Sequence, residues 1–350
     1  MDTYRPLRGD VCGVWHRGPA DGRGQIVTIG CTGAGLAREI KWKVHGPGPV
    51  NRVDMQQPQR DGDAMGYEQL EQQLSEFDTL LADLNLNIPD ASPLAPYFAT
   101  TREFLNDRQE LDEKALVGKW NLCFPAFYDG QIVTKRLSSA ALLLQNQTAL
   151  RGRLKTVLAG DLGPNSDPDH AKDIFYELEL AADFSDAGLT VTLREPDIAI
   201  SGCGLTAQYG VACKYPSSEK QIHSHLSKGY SQLTKQNLAG FVAIGFDLLV
   251  FGDFPGFVDF RQGNRHPLDV MQSAMNSAMM DFVNDRRQNY PSEDPIDGAL
   301  FTLRASGIYG APAQLTTVTA ITMQCESANP MFADIARIRQ QLQTIANKPS

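Results

Sequence analysis

The chain has 350 residues, 42% of them hydrophobic, enough to bury a sizeable core and to divide into two or three domains. A net charge of −9 excludes a protein that coats nucleic acid through bulk positive charge, and no apolar run reaches membrane length. The six cysteines, at 12, 31, 123, 203, 213 and 325, show no CxxC pair and no zinc spacing; with no apolar signal region at the start, the expectation is reduced core thiols in a soluble, cytoplasmic protein.

In chain order, strands are expected at 11–15, 25–30 and 37–45, followed by a Pro/Gly-rich loop or linker near 46–66. Gly30, Gly33 and Gly35 miss the GxGxxG and phosphate-loop spacings, and alternation resumes at Ile40, so this is read as a glycine turn. Helices are expected at 67–84, 94–111 and 136–159; the stretch 135–155 carries five basic residues and no acid. The segment 160–170, rich in Gly, Pro, Asn and Asp, closes an N-terminal α+β region, 1–160, whose role the sequence leaves open. A homo-oligomer or a partner protein is the expected use of that region.

The helix expected at 171–187 brings Ile174, Leu178, Ala181 and Phe184 onto one face, and Glu177 falls among them. Glu179 and Asp183 fall opposite, where solvent is expected. A carboxylate on the core side requires a cation, a hydrogen-bond network or a metal beside it. Strands at 189–194 and 198–200 follow, separated by Glu195-Pro196-Asp197, and a third at 207–214 ends on Lys214. Ser218 with Gln221 reads as a capping box opening a helix to about 235, with Ile222, Leu226, Tyr230 and Leu233 inward. The apolar run 238–251, broken by Asp247, reads as a buried strand. An amphipathic helix at 267–287, whose methionines read as packing, a strand pair at 297–309 and 314–324, and a closing helix at 331–346 complete the chain.

From 171 to 251 the order helix, three strands, helix, strand resembles the core of the PD-(D/E)XK nuclease superfamily. The resemblance implies an α/β, restriction-endonuclease-like fold, a mixed central sheet flanked by helices, for the domain 170–350 (core 171–251, extension 252–350), with 1–160 as an N-terminal α+β extension. It implies a metal-dependent endonuclease acting on DNA in restriction, defence or repair. By position, Glu177 is the acid of the first helix, Asp197 the Pro-Asp carboxylate and Lys214 the motif lysine. Ala212 stands where the second acid usually stands. The ligands of Mg²⁺, or Mn²⁺, would then be Asp197, Glu177 and the main-chain carbonyl of Cys213.

The residue types suit that chemistry. Phosphodiester hydrolysis needs an activated water and positive charge over the non-bridging oxygens, which a hard cation on carboxylates supplies and Lys214 can assist. On the helix after Lys214, Gln221, His225, Lys228 and Gln232 follow one edge at spacings of four, three and four, a stripe able to hold a backbone phosphate; Gln232 is counted with the catalytic set. Two other classes stay in play: a non-cleaving nucleic-acid-binding or scaffold module of the same fold, and a thiol hydrolase built on Cys213 with His223 or His225. The thiol chemistry is disfavoured because alternation sets Cys213 on the face opposite Lys214.

Overall fold

The computed structural model describes residues 13–17, 26–30, 67–107, 133–134, 136–162, 171–251, 257–259, 269–271, 273–278, 298–309, 314–324 and 331–346. The expectations for 37–45, for the 46–66 linker, for the glycine turn beyond Gly30, for most of 160–170 and for 279–287 lie outside them, as do Cys12, Cys31, Cys123 and Cys325.

Strands β1 (Gly13–Arg17) and β2 (Ile26–Gly30) form an antiparallel pair. Helices α1 (Tyr67–Asp83) and α2 (Ala95–Asp107) precede a 3₁₀ segment (Ser139–Asn146) that runs straight into α3 (Gln147–Ala159). Then come α4 (Ala171–Asp186), β3 (Thr190–Arg194), β4 (Asp197–Ser201), β5 (Tyr209–Lys214), α5 (Glu219–Lys235), β6 (Gly240–Gly245) and α6 (Asp247–Phe251). Strands β7 (Phe257–Asp259), β8 (Ala299–Tyr309) and β9 (Gln314–Gln324) and helix α7 (Phe332–Ala346) follow.

The sheet runs β3-β4-β5-β6-β8, with β9 on the far edge of β8 and β7 continuing past β6 along its near edge. Pairing is antiparallel among β3, β4 and β5, parallel from β5 through β6 to β8, and antiparallel again to β9, so the molecule is a mixed α/β structure. The parallel β5–β6 step needs a crossover, and α5 provides it.

Alternation along each strand separates two apolar clusters. On one face Val211, Cys213, Ile198, Ile200 and Phe241 meet α4, which α3, the 3₁₀ segment and α7 enclose. Leu74, Phe77 and Phe98 of α1 and α2 belong to the same cluster. On the other face Ala212, Val242, Ile244 and Phe301 meet Ile222, Leu226 and Leu233 of α5, Val250 of α6, and Met271 and Met275. The two methionines are thus packing residues.

Gly229 lets α5 lie close on the sheet, because a Cβ there would come within 2.7 Å of the Val242 side chain. At the outer edge of the sheet, Asn146 acts as a short false strand. Its amide donates to Val191 O at 3.2 Å and accepts from Leu193 N at 3.2 Å, two of the outward-facing groups of β3.

Three expectations are corrected here. The run 238–251 is a strand followed by a helix: β6 ends at Gly245 and α6 starts at Asp247, since an apolar stretch alone does not distinguish buried strand from buried helix. The helix expected over 136–159 is interrupted by the 3₁₀ segment. Glu179 and Asp183 do not face water. Because neighbours pack on all sides of α4, Glu179 is 4% exposed and lies 3.0 Å from Arg136 Nε and 3.0 Å from Arg304 Nη1. Arg304 also pairs with Asp183, and its main-chain N–H donates to Asp247 Oδ1. Burial pushes the Glu179 and Asp247 carboxyls up, with Arg136 and Arg304 opposing it in both cases.

Candidate active site

Three of the residues singled out in the sequence meet where β4 and β5 run past the flank of α4. The β4–β5 register pairs Ile198 with Val211, which brings Asp197 opposite Ala212 one step further on. Asp197 Oδ2 accepts the main-chain N–H of Cys213 at 2.7 Å and lies 3.4 Å from Lys214 Nζ. Lys214 Nζ donates to Cys213 O at 2.8 Å, so the lysine bridges the carboxylate and the carbonyl of its own strand.

Glu177 enters from α4, 5% exposed, as the apolar stripe implied. Its partner is Arg153 of α3, whose Nε donates to Glu177 Oε1 and whose Nη2 donates to Asp197 O at 3.3 Å. Arg153 therefore joins the helix acid to the strand that carries the second acid. Burial raises the Glu177 carboxyl to about 8; Arg153 opposes the shift and Asp197 adds to it. Burial also raises Asp197, against Lys214 and the Cys213 N–H.

Two members of this group were not singled out in the sequence. Asp173 lies one turn before Glu177 on α4, within the fields of His225 and Lys214, and burial raises its carboxyl. The signal was the i, i+4 spacing to Glu177. Arg153 falls inside the stripe Leu150, Leu154, Val157 of α3, an anomaly of the same kind as Glu177 in α4. Two misplaced charges of opposite sign on neighbouring helices point to each other.

The stripe on α5 divides. His225, near the start of the helix, is within the fields of Asp173 and Lys214; burial lowers its pKa, and its buried Nδ1 has no hydrogen-bond partner. Gln221 is exposed and accepts from Ser217 N at 2.9 Å and Ser217 Oγ at 3.1 Å, so the helix start is capped from Gln221 to Ser217; Ser218 makes no side-chain cap. Lys228 is exposed. Gln232, its buried Oε1 without a hydrogen-bond partner, adjoins Leu233, which packs at Gly210 at the opposite end of β5 from Lys214. The lysine end of the site is therefore formed with His225, and Gln232 lies away from it.

The position usually held by the second acid is closed. Ala212 is fully buried and belongs to the apolar cluster of Ile222, Leu226 and Val242, with Asp197 opposite it on β4. Among the described residues no three His, Cys, Asp or Glu side chains group closely enough to hold a metal ion. The oxygen groups linked through Arg153, Lys214 and the Cys213 N–H are the carboxylates of Glu177 and Asp197 and the Cys213 carbonyl. That set suits a hard divalent cation that keeps several waters, with Arg153 and Lys214 already balancing its charge.

Neither histidine expected for the thiol chemistry lies on the Cys213 face of the sheet. Cys213 packs on the α4 face with Val211 and Tyr215, and burial pushes its thiol well above the usual range, with Asp197 and Glu177 adding to the rise. His223 and His225 are on α5, across the sheet. Cys203, expected in the core, is exposed, its Sγ donating to Gly188 O at 2.9 Å.

Compared with protein-family models, with curated proteins and with solved structures, the chain matches none. Among the described residues no helix is long and apolar enough to cross a membrane.

Proposed function

We propose that this chain is a metal-dependent nuclease of restriction-endonuclease-like fold that hydrolyses DNA phosphodiester bonds, in keeping with the resemblance to the PD-(D/E)XK superfamily. The observation that carries the reading is the meeting of Glu177, Asp197, the Cys213 carbonyl and Lys214 at one locus, drawn from a helix and two strands. Mg²⁺ or Mn²⁺ held by Asp197, Glu177 and Cys213 O would supply Lewis acidity and positive charge over the non-bridging oxygens. Lys214 orients the attacking water and neutralises charge that develops at phosphorus. Asp197 fixes Lys214 by its 3.4 Å contact and is itself fixed by the Cys213 N–H. Arg153 holds Glu177 in place and, by opposing the effect of burial, favours its charged form.

The test is cleavage of linear, circular and single-stranded DNA, and of RNA, with Mg²⁺ or with chelator. Lys214→Ala and Asp197→Ala are each expected to be folded and inactive, and retained cleavage in both would remove the assigned site. A second reading, a non-cleaving DNA-binding or scaffold module, is favoured by the apolar enclosure of Ala212 and by the two cations already on the carboxylates. Calorimetry separates the two: Mg²⁺ or Mn²⁺ binding that Asp197→Ala abolishes supports the nuclease, and identical absence of binding in both proteins supports the module.

A further inference from the structure

The helix that sends Arg153 into the site presents a second, outward feature. Thr148, Arg151, Gly152 and Lys155 recur at i, i+3, i+4 and i+7 along α3, and Arg151, Gly152 and Lys155 are all exposed. Neither Arg151 nor Lys155 pairs with an acid among the described residues, and the whole stretch 135–155 contains no acid in a chain of net charge −9. Between the two cations stands a glycine in mid-helix, where glycine destabilises relative to alanine. Gly229 in α5 has a reason within the protein, the Val242 side chain; Gly152 has none, since a Cβ there would meet nothing within 4 Å. A bare, positively charged strip on the outward face of the helix that sends Arg153 to Glu177 fits a partner that brings its own charge and its own bulk close to the backbone.

We propose that this strip of α3 is the track on which the phosphate backbone of duplex DNA lies, Arg151 and Lys155 each pairing with a phosphate and Gly152 leaving room for the sugar-phosphate chain between them. The proposal rests on the nuclease reading for the choice of DNA. It adds a surface on the opposite side of Arg153 from Glu177, so that one helix both holds the site acid and positions the duplex. Phosphate contacts of this kind set register and orientation without reading sequence.

The test is fluorescence anisotropy of a labelled duplex in chelator across a salt series, with the full chain and two variants. The double variant Arg151→Gln/Lys155→Gln is expected to bind about tenfold more weakly and to lower the salt slope by about 2, the loss of two phosphate contacts. Gly152→Gln is expected to melt at a higher temperature than wild type and yet bind more weakly, a combination that a damaged fold does not give. Unchanged affinity in either variant, or a loss seen on duplex RNA and absent on duplex DNA, would overturn the track. Plasmid cleavage is scored separately. Cleavage with unaltered binding in the variants removes the track and leaves the nuclease reading, whereas α3-dependent binding without cleavage does the reverse.

Discussion

Helix α4 carries two ionic clusters that differ in how they are closed. In one, Glu179 is held by Arg136 and Arg304 and Asp247 accepts the Arg304 N–H, all inside the core, with Arg304 also reaching the partly exposed Asp183. In the other, two residues away, Glu177 and Asp197 are held by Arg153 and Lys214, whose side chains stay 21% and 13% exposed. The first cluster locks α4 to the sheet through Arg304 of β8 and to the segment before the 3₁₀ turn through Arg136. The second gathers the same kinds of groups at an accessible margin and adds a main-chain carbonyl that accepts from the lysine. Charge pairing alone therefore does not distinguish the two clusters; exposure of both cations in the second does.

The largest expected effect breaks the closed cluster. Arg304→Met strands Glu179 and Asp183 without one of their cations and should cost about 3–5 kcal/mol in urea unfolding. Arg153→Met should cost about half of that or less, because Glu177, with its carboxyl already near 8, can take up a proton instead. Equal costs would mean that the two clusters are one structural device. Next in size, Lys214→Ala should lower DNA cleavage by about 100-fold or more while its unfolding free energy stays close to wild type, a split that a purely structural lysine would not show.

A smaller effect is a pH slope. The Glu177 carboxyl rises from 4.5 to about 8 on folding, so between those values the folded state holds more protons than the unfolded one, and stability falls as pH rises through the window. Thermal melts of Glu177→Gln should lose that part of the slope between about pH 5 and 8, while wild type keeps it. A wild-type slope matched by the variant would mean that Glu177 is ionised throughout. The smallest expected change is Asn146→Ala, which removes the side-chain partner of Leu193 N–H and leaves Val191 O to Gln145, and should cost about 1 kcal/mol by urea unfolding, with cleavage unaffected.

The elements of 171–235 were legible because their periods are clean. Period two over 190–194 and 197–201, and a 3.6 period in α4 and α5, leave little choice of element. What sequence could not separate was the surroundings of α4. A hydrophobic face predicts one buried side, and Glu179 was placed outward on that basis, yet the Arg136 and Arg304 that receive it come from 43 residues before and 125 after. Similarly, Glu177 and Asp197 were found as local anomalies, whereas Arg153 and Asp173 became visible only when α3 was laid against α4 and Lys214 was set beside α5. Gln232 is set apart for a related reason: a stripe along a helix is long, and the neighbouring Leu233 packs at Gly210, at the opposite end of β5 from Lys214.

The amide of Asn146 has a consequence for how copies of this chain can meet. It fills two of the hydrogen-bonding slots that β3 turns outward, where a foreign strand would otherwise dock and extend the sheet. With that part of the rim occupied by a side chain, growth of the sheet by edge-to-edge addition is hindered there, and the basic residues of the helix that begins immediately afterwards stay exposed for other company.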